Sequence, residues 1–164
     1  MLKYVPRMTS VVMEEIPDRV TLAVDISCCR GLCRGCHSPF LREDIGDPLT
    51  EEVIDSLVDD NFGVDCFLFL GEGRDPDALI SLASHVREMG LSPALYSGRE
   101  EVEDELYRCF DYVKVGPYIP ERGPLSSPGT NQRLYRVRHN QDGSYLREDM
   151  TERFWTRGLE GRKI

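Results

Sequence analysis

Four short apolar runs recur through the middle of this chain: VTLAVDI (20–26), VDCFLFL (64–70), SPALY (92–96) and YVKVG (112–116). Each is apolar at most positions, the pattern of a strand covered on both faces. Between them lie segments with helix-boundary chemistry. Thr50 can cap EEVIDSLVDD, Glu51 and Glu52 occupy the favourable first turn, and Val53, Ile54, Leu57 and Val58 form one apolar stripe. Asp75 and Pro76 open DALISLASHVREM, and Gly90 stops it. EEVEDELYRCF (100–110) reads as a third helix with Val102, Leu106 and Cys109 or Phe110 inward. Strand and helix alternating to a fourth strand imply right-handed crossovers, a parallel sheet and an α/β fold.

The flanks are less regular. Residues 2–16 offer one more strand at the start of the sheet, which brings the expectation to about six strands. PYIPERGPLSSPGTNQ (117–132) is a proline- and glycine-rich excursion, and RLYRVRHNQDGSYLRED (133–149) is a hairpin turned at Asp142-Gly143. The last residues, 160–164, are expected to fray. A length of 164 residues suits a single domain, 1–164, with 117–164 as a C-terminal loop and hairpin extension. No basic head precedes a long apolar stretch and no run approaches a membrane span, so the expected address is the cytoplasm. A net charge of -9 argues against a nucleic-acid footprint and against an anionic membrane surface.

Four of the six cysteines fall within SCCRGLCRGCH (27–37). In a reducing compartment such a cluster is more often a metal or catalytic site than a pair of disulfides. Soft thiolates select zinc, copper(I) or iron-sulfur clusters. Zinc would need a fourth ligand, for which His37 or Cys28 is at hand. An iron-sulfur cluster on three thiolates would leave one iron open to chemistry. Gly31 and Gly35 lower the steric cost of wrapping backbone around a compact core. By contrast, Cys66 in its apolar run and Cys109 at a helix end read as small core residues, and His85 and His139 as surface groups. A parallel sheet binds ligands beyond the carboxyl ends of its strands. There the order of segments gathers the cysteine loop, Gly71-Glu72-Gly73, Tyr96-Ser97-Gly98 and Lys114 to Gly116. Lys114 faces opposite to Val113 and Val115, toward either the site or solvent.

Cys29-x3-Cys33-x2-Cys36 resembles the CxxxCxxC motif of the radical S-adenosylmethionine enzymes. With CRGCHSP, FLGEG, ALYSG, YVKVGPYI and TNQRLY, the chain is similar from about residue 21 to 155 to the activators of anaerobic, class III ribonucleoside-triphosphate reductases. That resemblance implies a partial (β/α) barrel with a mostly parallel sheet. It implies a [4Fe-4S] cluster on Cys29, Cys33 and Cys36, with Cys28 a neighbour and S-adenosylmethionine on the fourth iron. Gly71 and Glu72 would meet the methionine ammonium, although Leu70 replaces the first glycine of the family's Gly-Gly-Glu. Tyr96 and Ser97 fall where the family contacts ribose and carboxylate, and Lys114 would face the cofactor carboxylate or a partner group. Gly35 stands where many members carry a large residue against adenine, leaving part of that packing to His37. The implied activity is reductive cleavage of S-adenosylmethionine to place a glycyl radical on the reductase. A low-potential donor such as a flavodoxin or ferredoxin would supply the electron, and a homodimer is compatible. Competing readings are an activator of another glycyl-radical enzyme, a peptide-modifying radical enzyme, a non-enzymatic iron-sulfur electron-transfer protein and a zinc-stabilised module.

Overall fold

The computed structural model describes residues 1–29, 36 and 38–155. In chain order the strands and helices are β1 (Lys3–Tyr4), β2 (Ser10–Val12), β3 (Thr21–Asp25), β4 (Asp47–Pro48), α1 (Glu51–Asp60) and β5 (Cys66–Leu70). There follow α2 (Pro76–Glu88), β6 (Ser92–Tyr96), α3 (Asp104–Cys109), β7 (Tyr112–Val115), β8 (Arg133–His139) and β9 (Tyr145–Asp149). The helix starts obey their caps: Thr50 accepts from the Val53 N–H and Asp75 from the Ala78 N–H. α3 begins later than its sequence suggests. Glu101, expected inside that helix, instead bonds the Val102 N–H, the Tyr107 hydroxyl and Arg147.

The main sheet has seven strands in the order β2-β3-β5-β6-β7-β8-β9. This confirms a mixed α/β fold and corrects the mostly parallel sheet of about six strands. β3, β5, β6 and β7 are parallel, whereas β2 against β3, β7 against β8, and β8 against β9 are antiparallel. The reason is connection chemistry. Parallel neighbours need a helical crossover, and the links 13–20, 116–132 and 140–144 contain none, so those strands return antiparallel. β1 and β4 pair separately as a small ribbon beside the sheet, touching it through the Tyr4–Ile26 bridge.

Alternation along the strands divides the core in two. On one face Leu22, Val24, Phe67, Phe69, Leu95, Val113 and Val115 pack against α1, α2 and α3. On the second face Ala23, Cys66, Leu68, Ala94, Tyr112 and Leu134 are covered by Ile16, with Met150 and Phe154 against them. Burial pushes the Cys66 thiol up to about 12, so it remains a neutral core group. At the carboxyl ends of the parallel strands, Asp25, Leu70, Tyr96, Lys114 and Leu134 stand in register across four strand pairs. Among the described residues no helix is long and apolar enough to cross a membrane.

Candidate functional site

The cysteine loop leaves β3 through a narrow neck. The Cys28 N–H donates to the Glu43 carbonyl at 3.1 Å and the Cys29 N–H to the Leu41 carbonyl at 2.8 Å, while Ser27 N–H is held by the Lys3 carbonyl. Cys28 takes a positive φ of 61° and its thiol turns to Asp44, which pairs with Lys3. The left-handed step at Cys28 separates the two adjacent thiols. Cys29 lines a cleft of about 450 Å³ at the rim, and Cys28 does not. Cys28, Cys29 and Cys36 are half-buried, unbridged thiols. Cys33 and His37 lie outside the described residues. Among the described residues no three His, Cys, Asp or Glu side chains gather as metal ligands. The donor chemistry of Cys29, a soft thiol on the wall of the rim cleft, fits a thiophilic group.

The opposite wall of this cleft is the exit of β5. Gly71 adopts φ 114°, and a Cβ there would lie 3.4 Å from the Ile26 carbonyl oxygen; at Gly73 one would meet Leu2 at 2.5 Å. Only glycine permits this close return beside the start of the cysteine loop. Glu72 is thereby set on the cleft wall next to Gly71 and Gly73. Its carboxylate accepts from the Ser97 hydroxyl and from the Arg99 fork, Nε to Oε2 at 3.0 Å and a terminal nitrogen to Oε1 at 2.6 Å. Arg99 simultaneously grips Glu103, whose carboxyl falls to about 2 chiefly because of that bond. Such bidentate contacts fix direction as well as charge. The Arg99 side chain is 47% exposed, so its pair with Glu72 is worth about 1 kcal/mol or less.

Ser97 is buried and its hydroxyl is fully engaged, donating to Glu72 and accepting from the Arg99 N–H at 3.1 Å. It lines neither this cleft nor the next, and instead braces Glu72. Its main chain links the two faces, because the Ser97 N–H donates to the Lys114 carbonyl and Lys114 Nζ donates to the Ser97 carbonyl at 3.2 Å. Lys114 Nζ also donates to the Gly116 carbonyl at 2.9 Å and lies 5.8 Å from the Tyr96 ring centroid. The lysine is therefore buried on the second face rather than turned to solvent. The Tyr96 hydroxyl donates to the Glu15 carbonyl, tying the 13–18 segment over that face, and burial raises this phenol. Asp25, in the same row, is half-buried with its carboxyl raised by desolvation.

The residues singled out from sequence thus divide between two clefts on opposite faces of one rim. Cys29, Gly71 and Glu72 share the first; Tyr96 and Lys114 line the second, a cleft of about 550 Å³ beneath residues 117–132. Sequence reasoning did not single out Arg99, because nothing local marks an arginine after Gly98 as the clamp of a carboxylate 27 positions earlier. His85 beside Asp55 and His139 bonded to the Tyr107 carbonyl serve the surface, as expected. Compared with family models, curated proteins and solved structures, the chain matches none of them.

Proposed function

We propose that this chain is a radical S-adenosylmethionine enzyme that activates an anaerobic ribonucleoside-triphosphate reductase in the cytoplasm, on a partial (β/α) barrel. The observation that carries the reading is that Cys29 shares one cleft with Gly71 and a braced, directed Glu72 at the carboxyl ends of β3, β5 and β6. Cys29, Cys33 and Cys36 would hold a [4Fe-4S] cluster. When bound, that cluster would deliver one electron to the sulfonium, giving methionine and a 5'-deoxyadenosyl radical that takes a hydrogen atom from a glycine of the reductase.

The chain's own residues bind and orient. Glu72, with the main chain at Gly71, offers a carboxylate and a carbonyl to the methionine ammonium, contacts stronger than those between neutral groups. Ser97 and Arg99 hold that carboxylate in one direction before the ligand arrives, which lowers the ordering cost of binding. The folded-back Gly71 and Gly73 bring the β5 exit against Ile26, so ammonium site and cysteine loop share one wall. Lys114 anchors the β6 and β7 exits from the other face. No general base is needed on this chain, because the hydrogen leaves the substrate as an atom.

Anaerobic reconstitution with iron and sulfide tests the reading. The expected result is about four irons and four sulfides per chain, with a reduced-state electron paramagnetic resonance spectrum that shifts on adding S-adenosylmethionine. Adding the reductase and a flavodoxin or ferredoxin donor should then yield a glycyl radical signal. A preparation that takes up only zinc, or a reduced cluster whose spectrum ignores S-adenosylmethionine, would overturn it.

A further inference from the structure

We propose that the turn between α1 and β5 is a docking knob for the protein substrate, with Phe62 as the anchor that enters an apolar pocket rimmed by lysine or arginine. Phe62 is fully exposed. The turn that carries it is nonetheless fixed on both sides. Asn61 donates its side-chain amide to the Leu57 carbonyl at 2.7 Å and its N–H to the Val58 carbonyl at 3.1 Å. Gly63 takes φ 95°, a step that favours glycine. Beyond it Asp65 and Val20 exchange two bonds, the Asp65 N–H to the Val20 carbonyl at 2.9 Å and the Val20 N–H to Asp65 Oδ1 at 3.0 Å. A large ring on a fixed turn loses little freedom on binding, which is what an interface anchor needs.

Charge supplies the second observation. Asp59 and Asp60 are exposed in the last turn of α1, which has no basic residue. Carboxylates there meet the negative end of the helix dipole and destabilise the helix. Neither side chain has a partner among the described residues, so folding gains nothing from them. A cationic rim around Phe62 does gain, because it pairs with both carboxylates and lies over the ring face. Position then selects the partner. The knob precedes β5 and stands at the amino ends of the parallel strands, the length of β5, about 17 Å, from the candidate clefts. An electron donor has to approach the cysteine loop at the opposite end. A second copy would meet this one about a two-fold axis, setting Asp59 and Asp60 against their own equivalents. A protein substrate, by contrast, can reach past the rim and hold the molecule at both ends. This step rests on the proposed function, which makes the reductase the owner of the pocket; the chemistry of the knob is independent of the cluster.

The full chain with its reconstituted metal is titrated with the reductase by anaerobic calorimetry. Saturable binding that weakens with added salt is expected. Phe62→Ser should weaken it by about tenfold or more and keep the wild-type melting temperature, because the ring packs against nothing in the chain. Asp59→Asn combined with Asp60→Asn should also weaken it and flatten the salt dependence, yet raise the melting temperature, since the helix dipole is relieved. A purely structural role would move affinity and melting temperature the same way. With either variant the glycyl radical yield should fall at limiting reductase and recover at saturating reductase. Equal affinity of wild type and Phe62→Ser, tighter binding by the asparagine pair, a dimer of this chain that Phe62→Ser abolishes, or no binding of the reductase would each overturn the assignment. The cluster reading is decided separately, by iron content and the spectral response to S-adenosylmethionine in the same preparation.

Discussion

Arg99 is the residue on which the first cleft turns, since one guanidinium holds both Glu72 and Glu103. The two carboxylates differ in consequence. Both line the first cleft, but the Glu72 side chain is only 20% exposed, whereas Glu103 is 64% exposed and serves to keep the fork in place. Bonding to Arg99 lowers the Glu103 carboxyl from 4.5 to about 2, which makes it a titratable contribution to stability. The folded-state value is the lower one, so the contribution is complete above pH 4.5 and is lost as pH falls toward 2. Solvent screening limits it to about 0.5 kcal/mol. Glu103→Gln should therefore lower the urea midpoint at pH 7 and leave it near wild type at pH 2.5. An equal loss at both pH values would show that packing, and not charge, is what Glu103 contributes.

Elements show where sequence is legible. β3, β5, β6 and β7, with α1 and α2, follow from local signals: apolar runs for the strands, and Thr50 and Asp75 for the helix starts. The β8–β9 hairpin is legible as well, from its turn at Asp142-Gly143, whereas the antiparallel pairing of β2 with β3 and of β7 with β8 is not, because no local signal names those partners. The site divides in the same way. Glycines at 71 and 73 and the position of Cys29 could be read, but period-two alternation sends Tyr96 to the second face while Ser97, one residue on, turns to Glu72. The β1–β4 ribbon was also invisible, and it matters because it props the cysteine loop: Lys3 accepts from Ser27, and Tyr4 bridges Ile26. Gly46 lets the ribbon close, with φ 87° and a Cβ position only 2.1 Å from the Tyr4 carbonyl oxygen. Backbone cannot yield there as a side chain could. Gly46→Ala should cost about 2–3 kcal/mol and speed amide exchange at Ser27 and Leu49, whose N–H groups bond into β1 and its neighbour Leu2. Unchanged exchange at those two amides would mean that the ribbon does not support the loop.

At the scale of the whole molecule, one sheet serves two cores of unequal strength. The helix face holds Phe67, Phe69, Tyr107 and Phe110, whereas the second face relies on Ala23, Cys66 and Ala94 beside larger residues and has no helix of α1–α3 upon it. A layer that weak cannot hold the strands in register alone. It is stable only because the other face fixes the same backbone, so both layers should be lost together. Two probes separate them. Far-ultraviolet circular dichroism is dominated by α1, α2 and α3 on the strong face, and Trp155 fluorescence reports the weak one through Leu125. In urea the two signals should trace one transition. Phe69→Ala, from the strong core, and Ile16→Ala, from the weak one, should each move both signals to lower urea by the same amount, at costs of about 3–5 and 2–5 kcal/mol. If Ile16→Ala moved the tryptophan transition alone, the second face would be an independently melting layer, and the two clefts would no longer share one rigid rim.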